Sequence, residues 1–305
     1  MAIRLDYGVP TDRSGLNVRF AVEKGWFARE GIDLDVKVVF GGPEISAAYD
    51  SGALKIGELG TPPGVTAIAR GHRFRIVGSG LQRGVSLNFL VAPDVADWNG
   101  LRGKTLGALT LGSCSYWYLR DLLAQHGLDP DRDVTIRGLG DDYANQLDLF
   151  RRGEIAALLS AEPNGALGEY LGLVRSWGDV HALADVPPLQ WVIQVANEEF
   201  LAAEPDLVRT VVEVTRRASR HLALHRDEWI DFTAAHFGIP RIAAEVAVAR
   251  EQPFIGIDGL LDRQGLENAV ALQHRLGAIA ERWPVERFVA EDYSGWTGVG
   301  REAAE

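Results

Sequence analysis

The chain has 305 residues, a net charge of −11, 47% hydrophobic and 24% charged side chains, and one cysteine, Cys114. An acidic balance with no run of Lys and Arg excludes the concentrated positive charge that nucleic acids and anionic membranes require. The length points to two domains, and a lone cysteine excludes an internal disulfide, so packing alone must hold the fold.

In chain order, residues 3–9 read as a strand and 16–30 as an amphipathic helix, and Leu34, Val36, Val38 and Phe40 alternate as a half-buried strand does. Gly41-Gly42-Pro43 then turns into a helix reaching residue 50. A strand over 54–59 follows, then the Gly60-Thr61-Pro62-Pro63-Gly64 turn, a helix to residue 70 and a strand over 74–78. This alternation predicts an α/β fold with largely parallel sheets.

The same grammar then restarts. Shifted by 101 residues, segment 44–64 lands on 145–165, and Gly52 meets Gly153, Pro62 meets Pro163 and Gly64 meets Gly165. Upstream, Gly31-Ile32-Asp33 before a strand resembles Gly127-Leu128-Asp129 before a strand over 134–140. Turn geometry favours Gly and Pro wherever it occurs, so the coincidence suits both a true repeat and ordinary punctuation. Taken as a repeat, it predicts two similar lobes whose strand-end loops face one another across a ligand cleft. After Pro187-Pro188 a strand over 189–196 gives way to helices over 198–279. The expected division is lobe I, residues 1–92 and 196–305, and lobe II, residues 93–195, with two chain crossings forming a hinge.

No apolar segment of signal-peptide length opens the sequence, and none approaches the ~20 apolar residues of a membrane span. The chain as written is therefore expected in the cytoplasm without membrane insertion, or outside the membrane if a leader has been removed.

Several motifs carry a resemblance. Residues 20–27 end a helix in Glu23-Lys24-Gly25-Trp26-Phe27, and Glu30-Gly31-Ile32-Asp33 follows. Gly41-Gly42-Pro43, Ser51-Gly52, Gly60-Thr61-Pro62-Pro63, Leu101-Arg102-Gly103-Lys104-Thr105-Leu106-Gly107 and Gly112-Ser113-Cys114-Ser115 come after it in the same order. Over residues 5–191 this set resembles the SsuA- and NMT1-like binding proteins for sulfonates, taurine, nitrate and thiamine precursors. The resemblance implies a two-lobe type II periplasmic binding fold that closes on a small anionic, zwitterionic or heteroaromatic solute, a sulfonate, carboxylate or amino-pyrimidine-like one, as a monomer serving an ABC permease. Carried over by position, its ligand loops are Pro10, Thr11 and Asp12; Gly41 and Gly42; Thr61; Gln82; Ser113, Cys114 and Ser115; and Glu162. The fold also resembles an aromatic sulfinate desulfinase, whose nucleophilic cysteine lies in the first-strand loop. Residues 8–12 here hold no cysteine.

The residues themselves leave both functional and structural readings open. Ser113 or Ser115 suits a helix N-cap, and the same helix start suits a carboxylate, sulfonate or phosphate. Cys114 there is either a small buried thiol or, in a cytosolic desulfinase, decarboxylase or other lyase acting on an aromatic or heteroaromatic acid, an activated nucleophile. Thr61 serves as a cap or as a ligand contact. Glu162, its repeat mate, either meets a ligand amine or points away into solvent. Trp191, Trp117, Tyr116, Tyr118 and Tyr143 suit core packing or a stacking wall. His221 and His225, four apart, lack a third metal ligand. No glycine-rich nucleotide fingerprint or nucleophile elbow occurs, so neither a cofactor nor a metal is expected.

Overall fold

The computed structural model describes residues 2–111, 113–290, 293, 295 and 296. The chain runs β1 (Ile3–Val9), α1 (Leu16–Glu23), α2 (Trp26–Arg29), β2 (Ile32–Val38), α3 (Gly42–Asp50), β3 (Ile56–Gly60), α4 (Thr61–Ala69) and β4 (Phe74–Ser79). It continues through β5 (Asn88–Val91), β6 (Thr105–Ala108), α5 (Cys114–Gln125), β7 (Thr135–Gly138), α6 (Tyr143–Arg151), β8 (Ala157–Ser160), α7 (Asn164–Tyr170), β9 (Arg175–Asp179) and α8 (Val180–Leu183). It closes with β10 (Val192–Asn197), α9 (Glu198–Ala203), α10 (Pro205–Leu224), α11 (Arg226–Phe237), α12 (Arg241–Glu251) and α13 (Arg263–Arg275). The helix expected over 16–30 is two helices, broken at Lys24 and Gly25.

By internal contacts the chain forms two units. The first comprises Met1–Val85, Pro187–His225 and Phe254–Glu305; the second comprises Ser86–Val186 and Arg226–Pro253. The chain thus passes between units four times, not twice. The hairpin α11–α12, which the sequence reading left with the first lobe, belongs to the second because Arg250 of α12 is tied to α7 there.

Each unit holds one five-stranded sheet, with order β2-β1-β3-β10-β4 in the first and β7-β6-β8-β5-β9 in the second. The first three strands of each order pair in parallel, and the fourth, β10 or β5, is antiparallel to both neighbours. The sheets are therefore mixed, whereas βαβ alternation alone predicted parallel ones. The repeat holds at this level. Helix α3 starts and ends 101 residues before α6, and β3 starts 101 before β8. Both antiparallel strands also carry an irregularity, between Gln194 and Val195 in β10 and between Phe89 and Leu90 in β5.

Apolar residues of the first unit pack on both faces of its sheet. Leu59, Ile76, Ile193 and Val195 meet α4 and α13 residues such as Ile68 and Val270, while Leu5, Val9, Ile56 and Val77 meet α1 and α10 residues such as Val18 and Val211. In the second unit Leu90, Leu147, Phe150, Leu158 and Val174 form a core. Where β3 pairs with β1 there is no room for a side chain at Gly57. A Cβ on Gly57 would sit 2.1 Å from the Gly8 carbonyl oxygen and 2.2 Å from the Tyr49 hydroxyl, so only glycine fits there.

Candidate functional site

In the first unit, the residues singled out by sequence gather at the carboxyl ends of the parallel strands. Pro10, Thr11 and Asp12 follow β1, Gly41 and Gly42 follow β2, Thr61 follows β3, and Gln82 lies just beyond β4. Trp191 joins this edge because β10 runs the other way and begins there. Its carbonyl accepts from the Thr61 backbone N–H at 2.9 Å and from the Thr61 hydroxyl at 3.2 Å. The Trp191 N–H reaches the Arg83 carbonyl at 2.7 Å, and the Val192 N–H reaches that of Gln82 at 3.1 Å. Thr61 is fully buried, so its hydroxyl fixes β10 against α4. In the first-strand loop the Thr11 and Ser14 hydroxyls are 3.0 Å apart, and exposed Asp12 pairs with Arg19 of α1 at 3.4 Å.

Beneath that loop lies a group the sequence reading did not single out. Glu58 of β3 is 2% exposed. Its Oε2 accepts from the Gly15 N–H, at the start of α1, at 2.9 Å, and its carboxyl also bonds the buried Tyr7 hydroxyl. Tyr7 in turn accepts from Gln194 Nε2 at 3.1 Å, and Gln194 Oε1 accepts from Thr215 at 3.4 Å. Burial pushes the Glu58 carboxyl up to about 7, against the opposing pull of the Gly15 N–H, the Arg19 charge and Tyr7. Burial, followed by the charge of Glu58, raises Tyr7 and Tyr49 as well. The sequence signal was a lone Glu in an otherwise apolar strand, Ile56-Gly57-Glu58-Leu59.

The corresponding edge of the second unit carries Ser113, Cys114 and Ser115 at the start of α5; Gly112 lies outside the described residues. Ser113 is the N-cap, its hydroxyl accepting from the Tyr116 N–H at 3.4 Å and the Thr110 N–H at 3.3 Å. Ser115 is buried and accepts from the Leu109 N–H at 2.9 Å, and the two hydroxyls lie 3.1 Å apart. The capping role is thus realised by Ser113, while Ser115, in the first turn of α5, ties the loop at Leu109 to the helix. Burial pushes the Cys114 thiol up to about 12, the reverse of the activation a nucleophile needs. Leu111 and Trp117 stand exposed beside this helix start, at 64% and 45%, so Trp117 is not core. Tyr116 packs edge-on to Trp117, and Tyr143 edge-on to Phe237 of α11.

Glu162 follows neither sequence reading. It is 3% exposed, precedes Pro163 through a cis peptide bond, and spends both oxygens inside its own unit. Oε1 accepts from Asn88 at 3.3 Å and from Arg250 at 3.2 Å, and Oε2 accepts from the Ala166 N–H at 2.9 Å. The other arm of Arg250 holds Glu169 at 2.6 Å. Its carboxylate is satisfied by a cation 88 residues away in sequence, which no local pattern announces. His221 and His225 stack on one another at 3.9 Å, with His221 also stacked on Phe20.

The NMT1/THI5-like family profile matches residues 16–228, and the chain belongs to that family. YtlA of Bacillus subtilis, a binding protein by name, is 29% identical over 203 residues, which cover 64% of this chain. The chain spans only 58% of YtlA's length. The 4-amino-5-hydroxymethyl-2-methylpyrimidine phosphate synthase of Candida albicans is 20% identical over 68% of this chain and 64% of its own length. Among solved structures, the alkanesulfonate-binding protein SsuA of Xanthomonas axonopodis pv. citri, bound to MOPS, superposes with a TM-score of 0.72 at 20% identity. That likeness covers 94% of this chain and 97% of SsuA. The fold is therefore that of the periplasmic binding proteins.

Proposed function

We propose that this NMT1/THI5-like chain captures a small organic anion at its strand-end loops, closing over it without changing it, as the binding component of an ABC importer. The observation that carries the proposal is the matched pair of strand-end loop edges. In each unit, the same three parallel strands deliver small residues, hydroxyls and helix starts to one edge, as anion recognition requires. The sulfonate and MOPS named for SsuA suggest a sulfonate or carboxylate. Glu162 gives no support for a ligand amine, since Arg250 already neutralises it. Capture for import places the working protein outside the cytoplasmic membrane, which fractionation of native cells checks. The lyase reading leaned on Cys114, and a thiol pushed up to about 12 is almost wholly protonated at neutral pH.

Calorimetric titration with hexanesulfonate, taurine and an aromatic carboxylate tests this reading. One ligand per chain is expected, recovered unaltered after prolonged incubation. Ser113→Ala and Ser115→Ala should each weaken binding about tenfold if their loop grips the anion. If Ser113 only caps α5 and Ser115 only ties its loop, each variant should cost about 0.5–2 kcal/mol of stability and leave affinity unchanged. Failure of the whole panel to bind, or turnover of any member, would sink the proposal.

A further inference from the structure

Glu58 is more than the fold needs. At the same place in the repeat, 101 residues on, stands Leu159, an apolar residue 1% exposed within β8. The strand therefore packs well without a carboxylate, and an ionised group in such a place is costly unless paired. Yet the first unit keeps one, hydrogen-bonded to the N–H of Gly15, the N-cap residue of α1, at 2.9 Å. The second unit meets the opening of α5 with the neutral hydroxyl of Ser113 instead. Glu58 is thus a titratable carboxyl set at the positive end of α1, next to the loop 10–14.

Among the described residues, few groups act on it. Arg19, one turn into α1, is the cation, and it is shared with that loop: its Nη2 lies 3.4 Å from Asp12 Oδ1 and its Nε donates to the Ser14 carbonyl at 3.3 Å. Tyr7 of β1 bonds the carboxyl, and Tyr49 of α3 turns its hydroxyl to the backbone carbonyls of Gly8 and Glu58, at 2.8 and 3.2 Å. Gln194 of β10 is neutral and acts through Tyr7. After β4, Gly80 approaches the carboxyl with no charge.

We propose that Glu58 is the proton-linked positioning residue of ligand capture: an anion seated on the loop 10–14 is matched by a proton taken up on the Glu58 carboxylate. The inference rests on the anion-binding reading above. A ligand anion on that loop competes with Glu58 for one helix end and one arginine, and two anions sharing both repel. Protonation of Glu58 relieves the repulsion by O–H bond formation alone, with the proton drawn from solvent, and leaves its carbonyl oxygen to accept from Gly15. A carboxyl already lifted to about 7 by burial needs little further push at neutral pH.

Titrating hexanesulfonate, whose charge is constant across the range, into the protein at pH 6, 7 and 8, in two buffers of different ionisation enthalpy at each pH, counts the protons taken up. The wild type should absorb a fraction of a proton at pH 7 and more at pH 8. Its affinity should fall with rising pH by up to about tenfold per unit, the limit set by one linked proton. Glu58→Gln should bind with no linked proton and a flat pH profile. The two-buffer count on the wild type stands even if the variant folds poorly. Binding with no proton uptake, or an unchanged profile in Glu58→Gln, overturns this proposal alone. No binding of hexanesulfonate at any pH overturns the capture reading for sulfonates and this proposal with it.

Discussion

Glu58 also writes a pH dependence into stability that is independent of any ligand. Its folded value of about 7 lies above the ordinary value of 4.5, so the fold prefers the neutral acid. Its contribution is fully present below about 4.5, is lost as pH rises through 7, and totals about 3 kcal/mol across that window. Glu58→Gln mimics the neutral acid and removes the slope. In urea unfolding it should match the wild type near pH 5 and exceed it by about 2–3 kcal/mol at pH 8; a variant that is weaker at both pH values would refute the assignment. Single residues were unevenly legible in the sequence. The cap at Ser113 was readable because it depends on the residues that directly follow it. The fates of Glu162 and Glu58 were not, because Arg250 and Gly15 reach them from 88 and 43 positions away, and only the folded chain brings those partners in.

At the scale of elements, glycine and proline spacing located α3 and α6, and β3 and β8, because turns impose those residue types wherever the chain reverses. The same spacing is silent about strand direction. β10 and β5 each insert antiparallel into a parallel set, and a short apolar strand reads alike in either direction. The hairpin α11–α12 was equally hidden, since amphipathic helices do not name the sheet they cover. What fixes it is Arg250 on α12, holding Glu162 and Glu169 beside α7. Arg250→Met should therefore loosen the hairpin and strand a buried Glu162, costing about 3 kcal/mol, the lower end for breaking such a pair, because Arg250 itself is partly exposed. Adding Glu162→Gln should recover much of that loss. Denaturant curves for the two single variants and the double variant check this, and strict additivity would show that the pair is not coupled.

For the whole molecule, the proposed capture predicts a change of shape on binding, which small-angle scattering reads directly. Saturating hexanesulfonate should lower the radius of gyration of the wild type, and an unchanged curve under conditions where calorimetry proves binding would reject closure. The order of strands has a different consequence, for synthesis rather than for capture. β10 sits between β3 and β4, and among the described strands it alone joins β4 to the sheet, the outer edge of β4 meeting residues 288–290. The second sheet has all its strands once residue 179 is made, whereas the first waits until 197. As the ribosome moves from β4 to β10, on the order of ten seconds at ordinary translation speed, the emerging chain carries a gap flanked by two bare strand edges. The part encoded first is thus the last to be sealed. A nascent chain paused within the second unit is the species most exposed to misassembly, and the one a ribosome-bound chaperone should be found protecting.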